Sequence, residues 1–223
     1  MPIATLISSI GLLAAGVGIV TGVPQIVRLL RSPDASGLSY SSAVLGMLGC
    51  ATWLTYGLLL MDPAQLVANV PGIACAVLTV VLAARRLGAR LSSALIATLA
   101  WTPVVVGAHV LGGAELVGVV ATVVSLVRML PQVRTVFGRE SLAGLAPASF
   151  VLTQASAVLW TVYGVATAQP SVVVCSAVSV VLSGIVLSRR CPPQAVLRAL
   201  HAGRFGVVGQ VLVRPVAGLV LAA

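Results

Sequence analysis

"GVPQIVRLL" at residues 22–30 and "MLPQVRTVF" at residues 129–137 spell proline, glutamine and then arginine, 107 positions apart, in a chain made mostly of Ala, Val, Leu and Gly. The likeness continues outward without a gap. Residues 11–67 laid on 118–174 share sixteen identities, where a composition this skewed yields roughly six by chance. They include Pro24 with Pro131, Gln25 with Gln132, Gly37 and Leu38 with Gly144 and Leu145, Trp53 with Trp160, Tyr56 and Gly57 with Tyr163 and Gly164, and Pro63 with Pro170. The chain is a duplication.

What is duplicated is membrane-embedded. Of 223 residues 59% are hydrophobic and 8% charged, with a mean hydropathy of +1.14, against about a quarter charged in soluble domains. The net charge of +9 does not read as a nucleic-acid interface, because the thirteen arginines are scattered through short loops rather than gathered on one solvated face. The start, "MPIATLISSIGLL", has no positive n-region and reads as part of a span rather than a cleaved signal. Cys50, Cys75, Cys175 and Cys191 form no CxxC pair and read as small buried hydrophobes.

Apolar stretches of membrane-crossing length fall at about residues 4–30, 41–61, 64–84, 91–111, 114–137, 147–167 and 170–188. The expected fold is an all-α integral membrane protein with seven transmembrane helices. Every arginine lies in residues 28–40, 85–90, 128–140 or the tail after 188, and none in the alternate loops around Asp62, Gly112 and Gln169. The positive-inside rule then places the N-terminus outside and the C-terminus in the cytoplasm. Both Pro-Gln pairs precede cytoplasmic arginines, so the two three-helix units run the same way through the membrane. Joining parallel units of three spans requires one extra crossing, which residues 91–111 supply. The expected divisions are 1–86, a linker helix at 87–112, 113–190, and a tail at 191–223.

Proline inside a helix removes a backbone hydrogen bond and bends the axis. Pro24 and Pro131 therefore predict kinks near the cytoplasmic ends, acting either as static bends or as hinges, with Gln25 and Gln132 placed to satisfy the freed carbonyls. Trp53 lies eight residues before Met61, about 12 Å deep, and Asn69 about 8 Å deep on the same side. An indole face beside an amide suits a sugar, whose C–H faces stack on aromatics while its hydroxyls need donor and acceptor together. Helix packing through the amide is the plainer alternative. Trp160 repeats the register, with Ser176 where Asn69 falls in the first unit. Arg128, three residues before Pro131, is expected to snorkel to the cytoplasmic surface, a substrate-facing charge being the other reading.

These residues resemble the SWEET sugar facilitators, whose half-size bacterial relatives carry one three-helix unit and work as dimers. The resemblance covers about residues 5–190. It is carried by the Pro-Gln pairs, "SGLSYSS" and "AGLAPAS", "WLTYG" and "WTVYG", and the three-one-three arrangement. It implies a membrane transporter for a mono- or disaccharide, acting by alternating access, and it leaves room for a homo-oligomer. It implies that Trp53, Asn69, Trp160 and Ser176 line the central sugar site, and that Pro24, Pro131 and Pro147 flex. Tyr40 stands where a fourth such proline would be. Tyr56, Tyr163 and Asp62 resemble the residues that close the outer gate, with Gln169 replacing Asp62 in the second unit; both tyrosines equally suit an interfacial belt.

Ion-driven carriers keep an acidic group within the membrane, whereas Asp34, Asp62, Glu115 and Glu140 all map to loops or helix ends. Uncoupled, bidirectional movement across the plasma membrane is the expectation. No cofactor, metal site or nucleic-acid partner is expected. His109 and His201 have no second ligand at metal spacing, and no nucleophile–base pair suggests an enzyme. The tail, broken by Arg214 and Pro215, reads as disordered or lying on the membrane surface. Two alternatives share the topology: an amino-acid exporter and a non-transporting receptor.

Overall fold

A computed structural model describes residues 2–31, 39–137 and 147–190. Its elements are α1 (Ile3–Arg31), α2 (Tyr40–Leu59), α3 (Pro63–Leu87), α4 (Leu91–Phe137), α5 (Pro147–Ala166) and α6 (Pro170–Arg190). Four stretches, Ile3–Thr21, Tyr40–Leu59, Pro63–Leu87 and Leu91–Met129, are each long and apolar enough to cross a membrane, and two shorter apolar helices cover Val151–Ala166 and Pro170–Ile185.

The helix limits follow from local chemistry. Ser39 caps α2 by accepting from the Ser42 amide, and Asp62 caps α3 by accepting from the amides of Ala64 and Gln65. Pro63, Pro147 and Pro170 each open a helix, where a missing N–H costs nothing. Gly88 ends α3 in the left-handed conformation, φ +64°, that favours glycine. Met61 and Ala168, equivalent in the two repeats, also take positive φ, 50° and 53°. Each turns the chain sharply just before Asp62 or Gln169.

At 47 residues, α4 would be about 70 Å long if straight. It is not straight: Gly112 (φ −150°, ψ 19°) and Gly113 (φ 62°, ψ −151°) leave helical geometry. Trp101 donates its indole N–H to Thr52 Oγ1 at 3.0 Å, while Ser125 accepts that of Trp53 at 2.9 Å. Two residues 24 apart on α4 thus reach neighbouring residues of α2, although a straight helix would separate them by about 36 Å. The chain folds back at the glycine pair, giving a limb at 91–111 and a second at 114–137.

α3 packs on both α1 and α2, and α6 packs correspondingly on α4 and α5; across the repeats α1 meets α5 and α2 meets α4. Two glycines make the crossings close. A Cβ on Gly11 would lie 2.5 Å from a Tyr163 ring carbon, and one on Gly118 would lie 2.7 Å from a Tyr56 ring carbon. Gly118→Ala is therefore expected to overpack this crossing and cost about 1–3 kcal/mol, read as a lower melting temperature in detergent. Gly16→Ala, where nothing lies within 4 Å, is the control, and equal melting of both variants would contradict the close approach.

Valines and leucines stay exposed on the outer faces, among them Leu95, Leu99, Val106 and Val110, as expected of surfaces facing lipid. The expected spans coincide with these elements to within a few residues, apart from the merging of the fourth and fifth into α4. α1 and α4 continue through positions 24 and 131. The side chains of Pro24, Gln25, Pro131, Gln132 and Pro147, and all of 32–38, 138–146 and the tail after 190, lie outside the described residues. The expected hinges therefore lie outside them too.

Candidate functional site

Asp62 and Gln169 sit at one end of the bundle, here the aspartate end; Arg31, Arg85, Arg86 and Arg90 sit at or just beyond helix ends on the other, the arginine end. Between them lies a cavity of about 260 Å³ lined by α1, α2, α3, α5 and α6. Trp53, Asn69, Trp160 and Ser176, named from sequence, all line it. Sites for drug-sized ligands run to roughly 300–1,000 Å³, so this space suits a smaller molecule.

The two tryptophans are held alike. Each stands edge-on to the tyrosine one turn later, Trp53 to Tyr56 and Trp160 to Tyr163, with ring centroids 5.5 Å apart in both pairs. Both also pack against the core formed by Tyr56, Ala108, Val117 and Val172. Their environments differ in one respect: Trp53 donates to Ser125, whereas the repeat equivalent of Ser125 is Gly18, which has no hydroxyl to offer Trp160.

The polar groups are unequal as well. Asn69 Nδ2 donates to the Gln65 carbonyl (2.8 Å) and to Gln65 Oε1 (3.1 Å). With both N–H groups engaged, Asn69 presents an acceptor, and Gln65, which also lines the cavity, retains its own amide nitrogen as donor. Across the cavity Ser176 donates to the Val172 carbonyl at 2.6 Å and lies 2.9 Å from Thr161 Oγ1. One wall thus carries a carboxamide pair and the other the Ser176 hydroxyl, backed by that of Thr161. Gln65 is a cavity residue that the sequence reading passed over. Its signal was a second amide one turn before Asn69 on an otherwise apolar helix.

The aspartate end is shut. Asp62 Oδ1 accepts from Tyr163 at 2.8 Å, and its Oδ2 accepts from Gln169 Nε2 at 2.6 Å. These bonds tie α3 to α5 and α6, so equivalent positions 62 and 169 meet each other across the repeats. All three side chains are buried, as is Tyr56. The clasp is one-sided: Tyr56 Oη and Gln169 Oε1, which would mirror the Tyr163–Asp62 bond, are both buried without a partner. The interfacial-belt reading of the tyrosines does not describe this geometry, because both hydroxyls point inward. His109 is exposed at the end of the first α4 limb, and no cluster of metal-ligating side chains occurs among the described residues.

Three similarities accompany this geometry. The sequence family described as "Sugar efflux transporter for intercellular exchange" matches residues 3–84 and 113–189. The sugar transporter SWEET1 of Caenorhabditis elegans is 37% identical over 54 residues, which are 24% of this chain and 18% of that protein. The chain therefore aligns with only about a fifth of that relative's length. The structure of a eukaryotic SWEET transporter superposes with a TM-score of 0.66 at 17% identity, covering 82% of this chain and 96% of that one, a likeness of fold.

Proposed function

The chain belongs to the family of sugar efflux transporters for intercellular exchange, and from that membership we propose that it carries a small neutral sugar across the membrane by uncoupled, bidirectional alternating access. The family's members are transporters, and an enzymatic role is set aside. The observation that carries the reading is the cavity between the repeats, faced by two indoles and by unequal polar walls, with hydrogen bonds to Asp62 across its aspartate end. Sugar rings stack on the indoles. Hydroxyls donate to Asn69 and accept from Gln65. A volume of about 260 Å³ favours a monosaccharide over a disaccharide.

In this reading the chain spans the plasma membrane seven times, as two parallel three-helix units joined by the first limb of α4, with the aspartate end outside and the arginine end in the cytoplasm. The units are residues 1–86 and 113–190, and the tail from 191 lies in the cytoplasm. Transport proceeds as the clasp at Asp62 opens while the opposite ends of α1 and the second α4 limb close, with Pro24, Pro131 and Pro147 as the bending points and Gln25 and Gln132 bonding the freed carbonyls. A homo-oligomer is compatible with it, since each chain holds a complete cavity.

Purified protein in liposomes tests this directly. Counterflow of labelled glucose is expected at zero ion gradient and unchanged by an imposed proton gradient. Amino-acid uptake without sugar uptake would overturn the substrate class, and uptake that appears only with a gradient would overturn the uncoupled mechanism.

A further inference from the structure

We infer that Arg128 makes the cavity's mouth at the arginine end an anion site, so that the chain accepts sugars bearing a carboxylate, such as a hexuronate, alongside neutral ones. This rests on the sugar-carrier reading. The second α4 limb has two stripes at helical spacing. Val119, Val123 and Val127 are each about half exposed, the pattern of a lipid face; Val117, Ala121 and Val124 are buried. Arg128 continues the buried stripe, four residues after Val124, yet is itself exposed. Its exposure therefore opens where the packed interior ends, and the guanidinium does not point along the lipid face.

Its seat is glycine. A Cβ on Gly46 of α2 would lie 2.9 Å from Arg128 Nη1 and 3.6 Å from its Cδ, so the side chain lies along that helix at a place a larger residue would fill. Gly46 is one turn from Cys50 and two from Trp53 on the same face of α2, and Arg128 is one turn beyond Ser125, which holds the Trp53 indole. The repeat gives the same depth independently: the equivalents of Arg128 and Gly46 are Thr21 and Thr153, both of which line the cavity. By that equivalence the charged seat and the two threonines share one depth, with Arg128 and Gly46 just beyond the residues that line the cavity itself.

A guanidinium about 21 Å into the limb, counting from residue 114, calls for water or an anion. Asp62 and Glu115 are at the opposite end, and the other two acids, Asp34 and Glu140, lie outside the described residues. Arginine presents a planar fork of donors matched to a carboxylate. A sugar ring between the tryptophans, with its carboxylate directed toward Gly46, meets that fork. A lipid phosphate reaching up from the membrane surface is the competing occupant.

The test measures binding and counterflow of glucose and glucuronate by the full chain, for wild type, Arg128→Gln, Arg128→Lys and Gly46→Val. Wild type is expected to bind and move glucuronate, with affinity that falls as salt rises. Arg128→Gln lowers glucuronate binding tenfold or more while changing glucose binding less than threefold, and Arg128→Lys restores part of it. Gly46→Val displaces the guanidinium and lowers glucuronate binding selectively. Failure of wild type to bind glucuronate, or equal glucuronate binding by wild type and Arg128→Gln, overturns the inference, as does loss of co-purifying phospholipid in Arg128→Gln with both sugars bound as before. Glucuronate binding that depends on Arg128, with no glucose binding or flux, keeps the anion site and overturns the neutral-sugar reading instead.

Discussion

Asp62→Ala lowers the melting temperature of the purified protein by on the order of 10 °C. The carboxylate accepts from Tyr163, Gln169 and the amides of Ala64 and Gln65. Truncation leaves the Gln169 amide and the Tyr163 hydroxyl buried without acceptors, at about 1–3 kcal/mol for each unsatisfied group, and removes an N-cap worth about 1 kcal/mol. About 3 kcal/mol in a chain of this length corresponds to roughly 6–12 °C. Asp62→Asn keeps the cap and one acceptor and falls between. Counterflow should fall as well, since the clasp closes the aspartate end. Melting of Asp62→Ala within 2 °C of wild type would show that the clasp contributes little, a threshold taken from about 1 kcal/mol at this size.

Trp53→Ala and Trp160→Ala each reduce sugar counterflow tenfold or more, the loss of about 1.4 kcal/mol of transition-state or binding free energy. The two should differ in stability. Trp53 holds Ser125 as well as Tyr56, so its removal empties space beside the cavity and unties α2 from α4, at about 3 kcal/mol, the low end for a tryptophan because this one is only half-buried. Trp160 makes the matching ring contact without that tie, and its alanine variant should melt higher than that of Trp53. Phenylalanine at position 53 retains an aromatic face and loses the indole bond, separating stacking from the tie. Full flux in both alanine variants would remove the tryptophans from the site, and with them the reading of the cavity as the sugar path.

How far the site could be read in advance depended on whether a residue's partner is local. Trp53, Asn69, Trp160 and Ser176 stood out because tryptophan and amides are conspicuous in hydrocarbon and recur at one register, and the cavity includes all four. Gln65 passed unnoticed because its importance lies in the bond to Asn69. Tyr163 and Asp62 are 101 residues apart; their types suggested a gate, but which tyrosine would bond was not legible, since both occupy equivalent positions. The choice follows from asymmetry at one place, Gln169 opposite Asp62. An amide donates to a carboxylate, and the carboxylate's other oxygen takes Tyr163, which leaves Tyr56 without a partner.

Hydrophobic run lengths, the placement of thirteen arginines and a 107-residue repeat are properties of order along the chain; they determined an all-helical membrane class and the helix limits without any contact being known, and they carry the proposed parallel sense of the two units. The reversal at Gly112 and Gly113 was legible as a break between two spans. That it brings Trp101 and Ser125 to neighbouring residues of α2 was decided only by packing. So were the clasp between positions 62 and 169 and the seat of Arg128 on Gly46. Periodicity states which face of a helix is apolar; which neighbour covers that face, and which polar group finds a partner there, depends on how the helices cross.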